Sequence, residues 1–217
     1  MNEESLNPTP LQFDEQTPPI NGSIHDVRRI IETQGQVPRS QEDLAAIVEA
    51  PLLAAATTLY LRGIQTTSST ANPENIDGLG HGELAINYDS LSEENKLIAG
   101  DLAQQSQDRK LEQGRLSTPI VNDAGDLTIV IEISLAGTIE EMSARASAVA
   151  GLFQLQPMNW APRYTFDELL DDYQVPPENR DEYKPEDFTE DYYLSPEDGL
   201  FYLSADHAQR ALHPSEQ

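Results

Sequence analysis

In Asn122-Asp123-Ala124-Gly125-Asp126-Leu127-Thr128-Ile129-Val130-Ile131-Glu132-Ile133-Ser134-Leu135, a turn runs directly into a strand. Asn, Asp and Gly tolerate the left-handed backbone that a tight hairpin needs. Beyond the turn, Leu127, Ile129, Ile131, Ile133 and Leu135 recur at every second position and give one apolar face. Arg115 to Val121 lies on the other side, so the segment predicts an antiparallel hairpin. Glu132 falls opposite the Leu–Ile row, at a solvent-facing or helix-shielded place, and is not read as a catalytic acid.

Upstream, Ile64 to Ser69 reads as a strand, and Glu83 to Tyr88 alternates strictly with Leu84, Ile86 and Tyr88 on one face. A glycine-rich loop joins the two. Before them, Ser23 caps a short helix with Ile24, Val27, Ile30 and Ile31 on one side. Ser40 with Gln41, Glu42 and Asp43 opens a second helix carrying Leu44, Ile47 and Val48. Pro51 interrupts it and suits the first position of a new helical segment, in which Leu52 to Leu61 is apolar nearly all round and belongs in the centre, ending at Gly63. Ser92 with Glu93 and Glu94 begins another, with Leu97, Ile98 and Leu102 expected inward. After the hairpin, Thr138 and Glu141 form a capping box ahead of the stripe Met142, Ala146, Val149, Ala150 and Phe153. The order helix, helix, strand, strand, helix, strand, strand, helix predicts an α+β, two-layer fold. Its sheet is mostly antiparallel, four-stranded and covered by helices, with an acidic C-terminal extension. A doubly wound nucleotide-binding sheet is disfavoured, since strands and helices do not alternate singly.

The chain has 217 residues and a formal charge of −25, from 38 acidic and 13 basic side chains. Such a charge repels nucleic acid and anionic membranes, both of which need clustered Lys and Arg, so direct binding to either is not expected. Three readings of the acidity stand open: solubility, a high-salt habitat, or an acidic surface for a basic partner. Cysteine is absent, which excludes disulfides, thiolate catalysis and Cys-ligated metals. No apolar run approaches the ~20 residues of a membrane helix. The polar, acidic stretch Met1 to Gln12 does not resemble a secretory signal, and a cytoplasmic location is expected.

Composition divides the chain into a tail at 1–22, a core at 23–157 and an extension at 158–217. The tail has 4 acidic residues, no basic ones and four prolines, and is expected to be disordered. The core carries 19 acidic against 9 basic residues, the extension 15 against 4, so charge density roughly doubles at the boundary.

Motifs for chemistry are thin. Gly78, Gly80 and Gly82 around His81 lead into a strand, whereas a phosphate cradle needs its glycines at a helix N-terminus. The run Thr66-Thr67-Ser68-Ser69-Thr70 could supply a hydroxyl nucleophile with His81 as base and Asp77 or Asp89 orienting it, which makes a small hydrolase the alternative reading. None of His25, His81, His207 and His213 forms a zinc-binding helix pair, and no calcium-loop pattern occurs, so no cofactor or metal is expected.

The extension is more telling. Thr165 with Glu168 caps a helix bearing Phe166, Leu169, Leu170 and Tyr173 on one face, stopped by Pro176-Pro177. Tyr192-Tyr193-Leu194 and Leu200 to Leu203 flank Ser195-Pro196-Glu197-Asp198-Gly199, a hairpin loop, and Ser204 caps a last helix over 205–212. Nine of the chain's 13 Tyr and Phe residues lie in this extension, although acidic tails are ordinarily poor in aromatics. They either staple the extension to the core or contact a partner. The leading expectation is a non-catalytic acidic interaction module, an adaptor or inhibitor binding a basic protein partner, with nucleic-acid mimicry as its specific version. The expected contact residues are Phe166, Leu169, Leu170, Tyr173, Tyr192, Tyr193, Phe201 and Tyr202.

Overall fold

The computed structural model describes residues 37–72, 80–108, 115–122, 125–136 and 138–214. The tail at 1–22, the expected helix beginning at Ser23 and the glycine loop up to Leu79 lie outside the described residues.

Ser40 precedes helix α1 (Gln41–Ile47), where the Asp43 carboxylate reaches back to the N–H groups of Arg39 and Ser40 at 2.8 and 3.1 Å. Helix α2 (Ala50–Leu61) starts with Pro51 in its first turn, as a residue without an N–H should. It buries Leu52, Ala55, Ala56, Leu59 and Tyr60. Its end is a Schellman turn: the Gly63 N–H bonds the Tyr60 carbonyl at 3.0 Å and the Ile64 N–H bonds that of Leu59 at 2.9 Å. Ile64 therefore closes the helix and enters the core, and strand β1 (Thr66–Asn72) begins two residues later than its sequence suggested.

Strand β2 (Gly80–Asn87) starts earlier than expected and takes in Gly80, His81 and Gly82. The reason is steric. A Cβ on Gly82 would lie 2.8 Å from Met142 Sδ, so this glycine lets a strand pass close under a helix. Helix α3 (Glu93–Asp108) follows, then β3 (Arg115–Leu116), β4 (Ile120–Val121) and β5 (Leu127–Ala136). The expected hairpin arm is one strand interrupted between Leu116 and Ile120, so both pieces pair with β5. The antiparallel sheet has five strands by this count, in the order β1-β2-β5-β3 with β4 beside β3 on the same edge of β5.

Helix α4 (Ile139–Ala150), capped by the Thr138 hydroxyl accepting from the Glu141 N–H, packs on α2 and on the sheet. Leu84, Ile86, Ile129, Ile131 and Ile133 point into that layer, and Glu132 on the other face pairs with Arg115. Leu97 is a correction. It is 72 % exposed, and α3 turns Asn95, Ala99 and Ala103 inward instead. A polar side chain takes the core position because Asn95 is fully satisfied there: it donates to the Gln154 carbonyl and to Gln156 Oε1, and accepts from the Gln154 N–H. The main core continues past position 157 through Met158, Trp160 and Ala161.

The extension then folds on itself. Strand β6 (Arg163–Tyr164), helix α5 (Phe166–Asp172), two 3-10 turns (Pro177–Glu182 and Pro185–Phe188), β7 (Tyr193–Leu194), β8 (Phe201–Tyr202) and α6 (Ala205–Leu212) follow in turn. The expected hairpin is present, and β6 joins it to make a three-stranded sheet ordered β6-β8-β7.

Gly63→Ala tests how tightly this frame is set. Gly63 has φ +72°, and a Cβ there would stand 2.2 Å from the Gln156 carbonyl oxygen. The substitution should cost more than about 3 kcal/mol in urea unfolding, with strain and clash combined. Gly199→Ala, at a similar φ of +73° but with nothing within 4 Å, should cost only about 1 kcal/mol.

Candidate functional site

The candidate surface is built by the extension around Phe188. That ring is buried, and Tyr173, Phe166, Tyr183 and Phe201 surround it with centroids at 5.1, 5.8, 6.2 and 6.4 Å. Leu169, Leu170 and Val175 complete a second apolar cluster, with Tyr164, Tyr192 and Leu194 packed against it. Two local devices hold the pieces in place. The Thr165–Glu168 capping box starts α5 in the right direction. Between the hairpin strands, Asp198 accepts from the Leu200 N–H at 3.1 Å and from the Tyr202 hydroxyl at 2.7 Å.

The eight residues expected at a partner surface are divided by this packing. Leu169, Leu170, Phe201 and Tyr202 are buried and spend their apolar area within the chain. Phe166 and Tyr192 are half-buried. Tyr173 and Tyr193 keep 47 % and 38 % of their surface exposed. Tyr183, 40 % exposed and stacked at an angle on Phe188, belongs with them. A tyrosine between two 3-10 turns has no periodic signal, and only its place in an aromatic-rich acidic stretch marks it.

The field around these rings is negative. Asp172 and Asp191 act on both Tyr173 and Tyr192. Tyr173 donates its hydroxyl to Asp191 Oδ2 at 3.0 Å, and that bond, followed by burial and the Asp191 charge, pushes the phenol up to about 12. Burial first, then the Tyr164 phenol and the two carboxylates, raises Tyr192 as well. Burial pushes Asp198 up, but the hydrogen bonds from Tyr202 and Leu200 outweigh it and hold the carboxyl below its usual range. Among the extension's cations, Arg180 is committed to Asp171 and Arg210 to Asp206. Ring faces set among ionised carboxylates attract guanidinium and ammonium groups.

The hydrolase residues are not brought together. Ser69 stands opposite Leu84, on the helix side of the sheet, where its hydroxyl bonds the buried Glu49 carboxylate. His81 Nε2 contacts Glu83 at 2.9 Å. Ser68 stands opposite Ala85, four residues along β2 from His81, which is about 13 Å at the rise of a strand. Asp77 lies outside the described residues. Among the described residues no group of three or more His, Asp or Glu side chains could hold a metal ion, and no helix is long and apolar enough to cross a membrane. No protein-family model, curated protein or solved structure matches the chain.

The Tyr173–Asp191 bond has a spectroscopic consequence. Ultraviolet titration of the 8 tyrosines should include a phenol ionising near 12, that of Tyr173, which Asp191→Asn should return toward 10. Because the folded value is the raised one, the associated stability is complete below pH 10 and is lost as the pH rises from 10 to 12.

Proposed function

We propose that this chain is a non-catalytic interaction module, an adaptor or inhibitor, that takes a basic segment of a protein partner on the exposed tyrosines of its extension. The observation that carries the reading is the exposure of Tyr173, Tyr183 and Tyr193 in a segment with 15 acidic and 4 basic residues. Aromatic rings held by packing behind them lose little entropy on contact, and a basic partner is steered toward them by long-range attraction. Arginine suits the surface best, because it pairs with carboxylates and stacks on phenol rings at once. Mimicry of nucleic acid is the specific form of the proposal, in which ordered carboxylates occupy a DNA-binding protein's cationic groove. The cytoplasmic setting expected from the sequence belongs to the same proposal.

The test uses the full chain as bait in its native lysate at low salt. Removing residues after 157 would strip Met158 and Ala161 from the main core, so point variants are the sound comparison. A retained protein should be basic and should leave the bait as salt is raised. Tyr173→Ser, Tyr183→Ser and Tyr193→Ser should each weaken it by about 1 kcal/mol or more. Asp172→Asn, which leaves the rings in place, should weaken it as well. Retention indifferent to salt and to all of these variants would overturn the proposal.

A further inference from the structure

The C-terminal helix α6 is seated on the main core by groups that converge on one imidazole. His207 is fully buried. Its Nε2–H donates to the Pro38 carbonyl at 2.7 Å, and its ring centre lies 5.8 Å from that of Trp160 and 6.4 Å from that of Tyr60. Its Nδ1 is buried with no hydrogen-bond partner among the described residues. As a neutral ring, His207 leaves only a lone pair unmet. A second proton would place an N–H without an acceptor, and a charge, among aromatic rings.

The neighbouring charged groups offer that proton little. From α6 itself come Asp206 and Arg210, from the segment before α1 comes Arg39, and from α2 comes the Tyr60 phenol, which also feels Asp43. The Asp206 carboxylate is occupied, accepting the Tyr60 hydroxyl at 2.8 Å and the Arg210 Nε–H at 2.9 Å. Arg210 also donates to the Leu61 carbonyl at 3.3 Å, and the Ser204 hydroxyl donates to the Arg39 carbonyl at 2.7 Å. Burial lowers the proton affinity of His207 below its ordinary value; Arg210 and Arg39 add to this against the pull of the Pro38 bond and Asp206.

We propose that the seat of α6 is an acid-sensitive latch: protonation of His207 at Nδ1 releases the helix from Tyr60 and Trp160 while the main core stays folded. The sign follows from linkage. A histidine whose value is lower docked than free holds the helix fully above about pH 6.5, and the docking equilibrium constant then falls about tenfold per pH unit on acidification, down to its own lowered value. Other acid effects fall elsewhere. Glu168 and Asp198, both held ionised, act below the ordinary carboxylate range. His213 at the end of α6 contacts Glu197 at 2.6 Å.

Hydrogen exchange on the full chain, corrected for intrinsic rates, gives the test, with fluorescence of the single tryptophan, Trp160, as a second readout beside the latch. Protection of amides 205–212 should fall about tenfold per pH unit below 6.5, and Trp160 emission should change over the same range, while β5 keeps its protection. His207→Gln retains an N–H donor toward Pro38 and cannot become charged, so its α6 protection should stay flat between pH 7.5 and 5.5. Equal wild-type protection at both pH values, a parallel loss in His207→Gln, or simultaneous loss from β5 would overturn the latch. Should the variant fail to fold, proton NMR of the wild-type imidazole decides. Titration at or above 6.5 with α6 still protected would overturn the proposal, and titration below 6.5 together with α6 release would support it.

Discussion

The side-chain amide of Gln156 fixes the frame on which the rest of the molecule is hung. Its oxygen accepts from the Ser92 N–H and from Asn95 Nδ2, both at 2.8 Å, and its nitrogen donates to the carbonyls of Ser90 and Gly63 at 2.8 and 3.2 Å. An amide has two acceptor and two donor positions, and all four are filled. One buried side chain thus ties the end of α2, the turn after β2, the start of α3 and the segment after α4. A network satisfied to this degree specifies a single arrangement, whereas the same groups left unpaired would each cost about 1–3 kcal/mol. Other parts lean on it. The Gly63 carbonyl also receives the Trp160 indole N–H at 3.0 Å, and Trp160 in turn forms one wall of the seat for α6.

A related constraint acts at the end of α4. No basic residue lies in its last turn, yet the Arg62 guanidinium reaches from the end of α2 to the carbonyls of Ala150, Gly151 and Phe153. The cation meets the negative end of the helix dipole and satisfies carbonyls that the helix itself cannot. The α2–α4 layer is therefore fastened at its lower end by charge-assisted bonds as well as by apolar contact.

Local signals were legible wherever a residue type acts within a few positions of itself. The caps at Ser40, Thr138 and Thr165, the turn at Gly125 and the hairpin loop ending in Gly199 all stand where the sequence indicates, and with them the α+β class and its antiparallel sheet. What the sequence hid depends on contacts made at long range. Gly82 looks like loop punctuation until Met142 is seen above it. Leu97 fits an apolar stripe, but the register of α3 is chosen by Asn95 bonding residues 59 and 61 positions away. Gln156 and His207 are polar side chains buried where apolar ones are the rule. The aromatic site was half legible for the same reason. Its composition marks the aromatic-rich segment, yet which rings face inward is set by Phe188, whose 3-10 turn carries no periodic pattern.

The relation between the two apolar clusters bears on how such a surface could act. Ala161 belongs to the main cluster and Tyr164 packs on the second, so only two residues separate them along the chain. At the far end, α6 returns to the main core through Tyr60, Leu61 and Pro38, and the Met158 N–H bonds the Arg210 carbonyl at 3.2 Å. The extension is thus anchored at both ends and cannot trail as a flexible acidic tail. A tail gathers counter-charge without fixing its geometry and loses conformational entropy whenever it orders on a partner. A braced acidic surface has lost that entropy in folding, and its carboxylates and rings keep set spacings. Charge alone would attract any basic protein. Spacing held by folding is what allows one to be preferred over another.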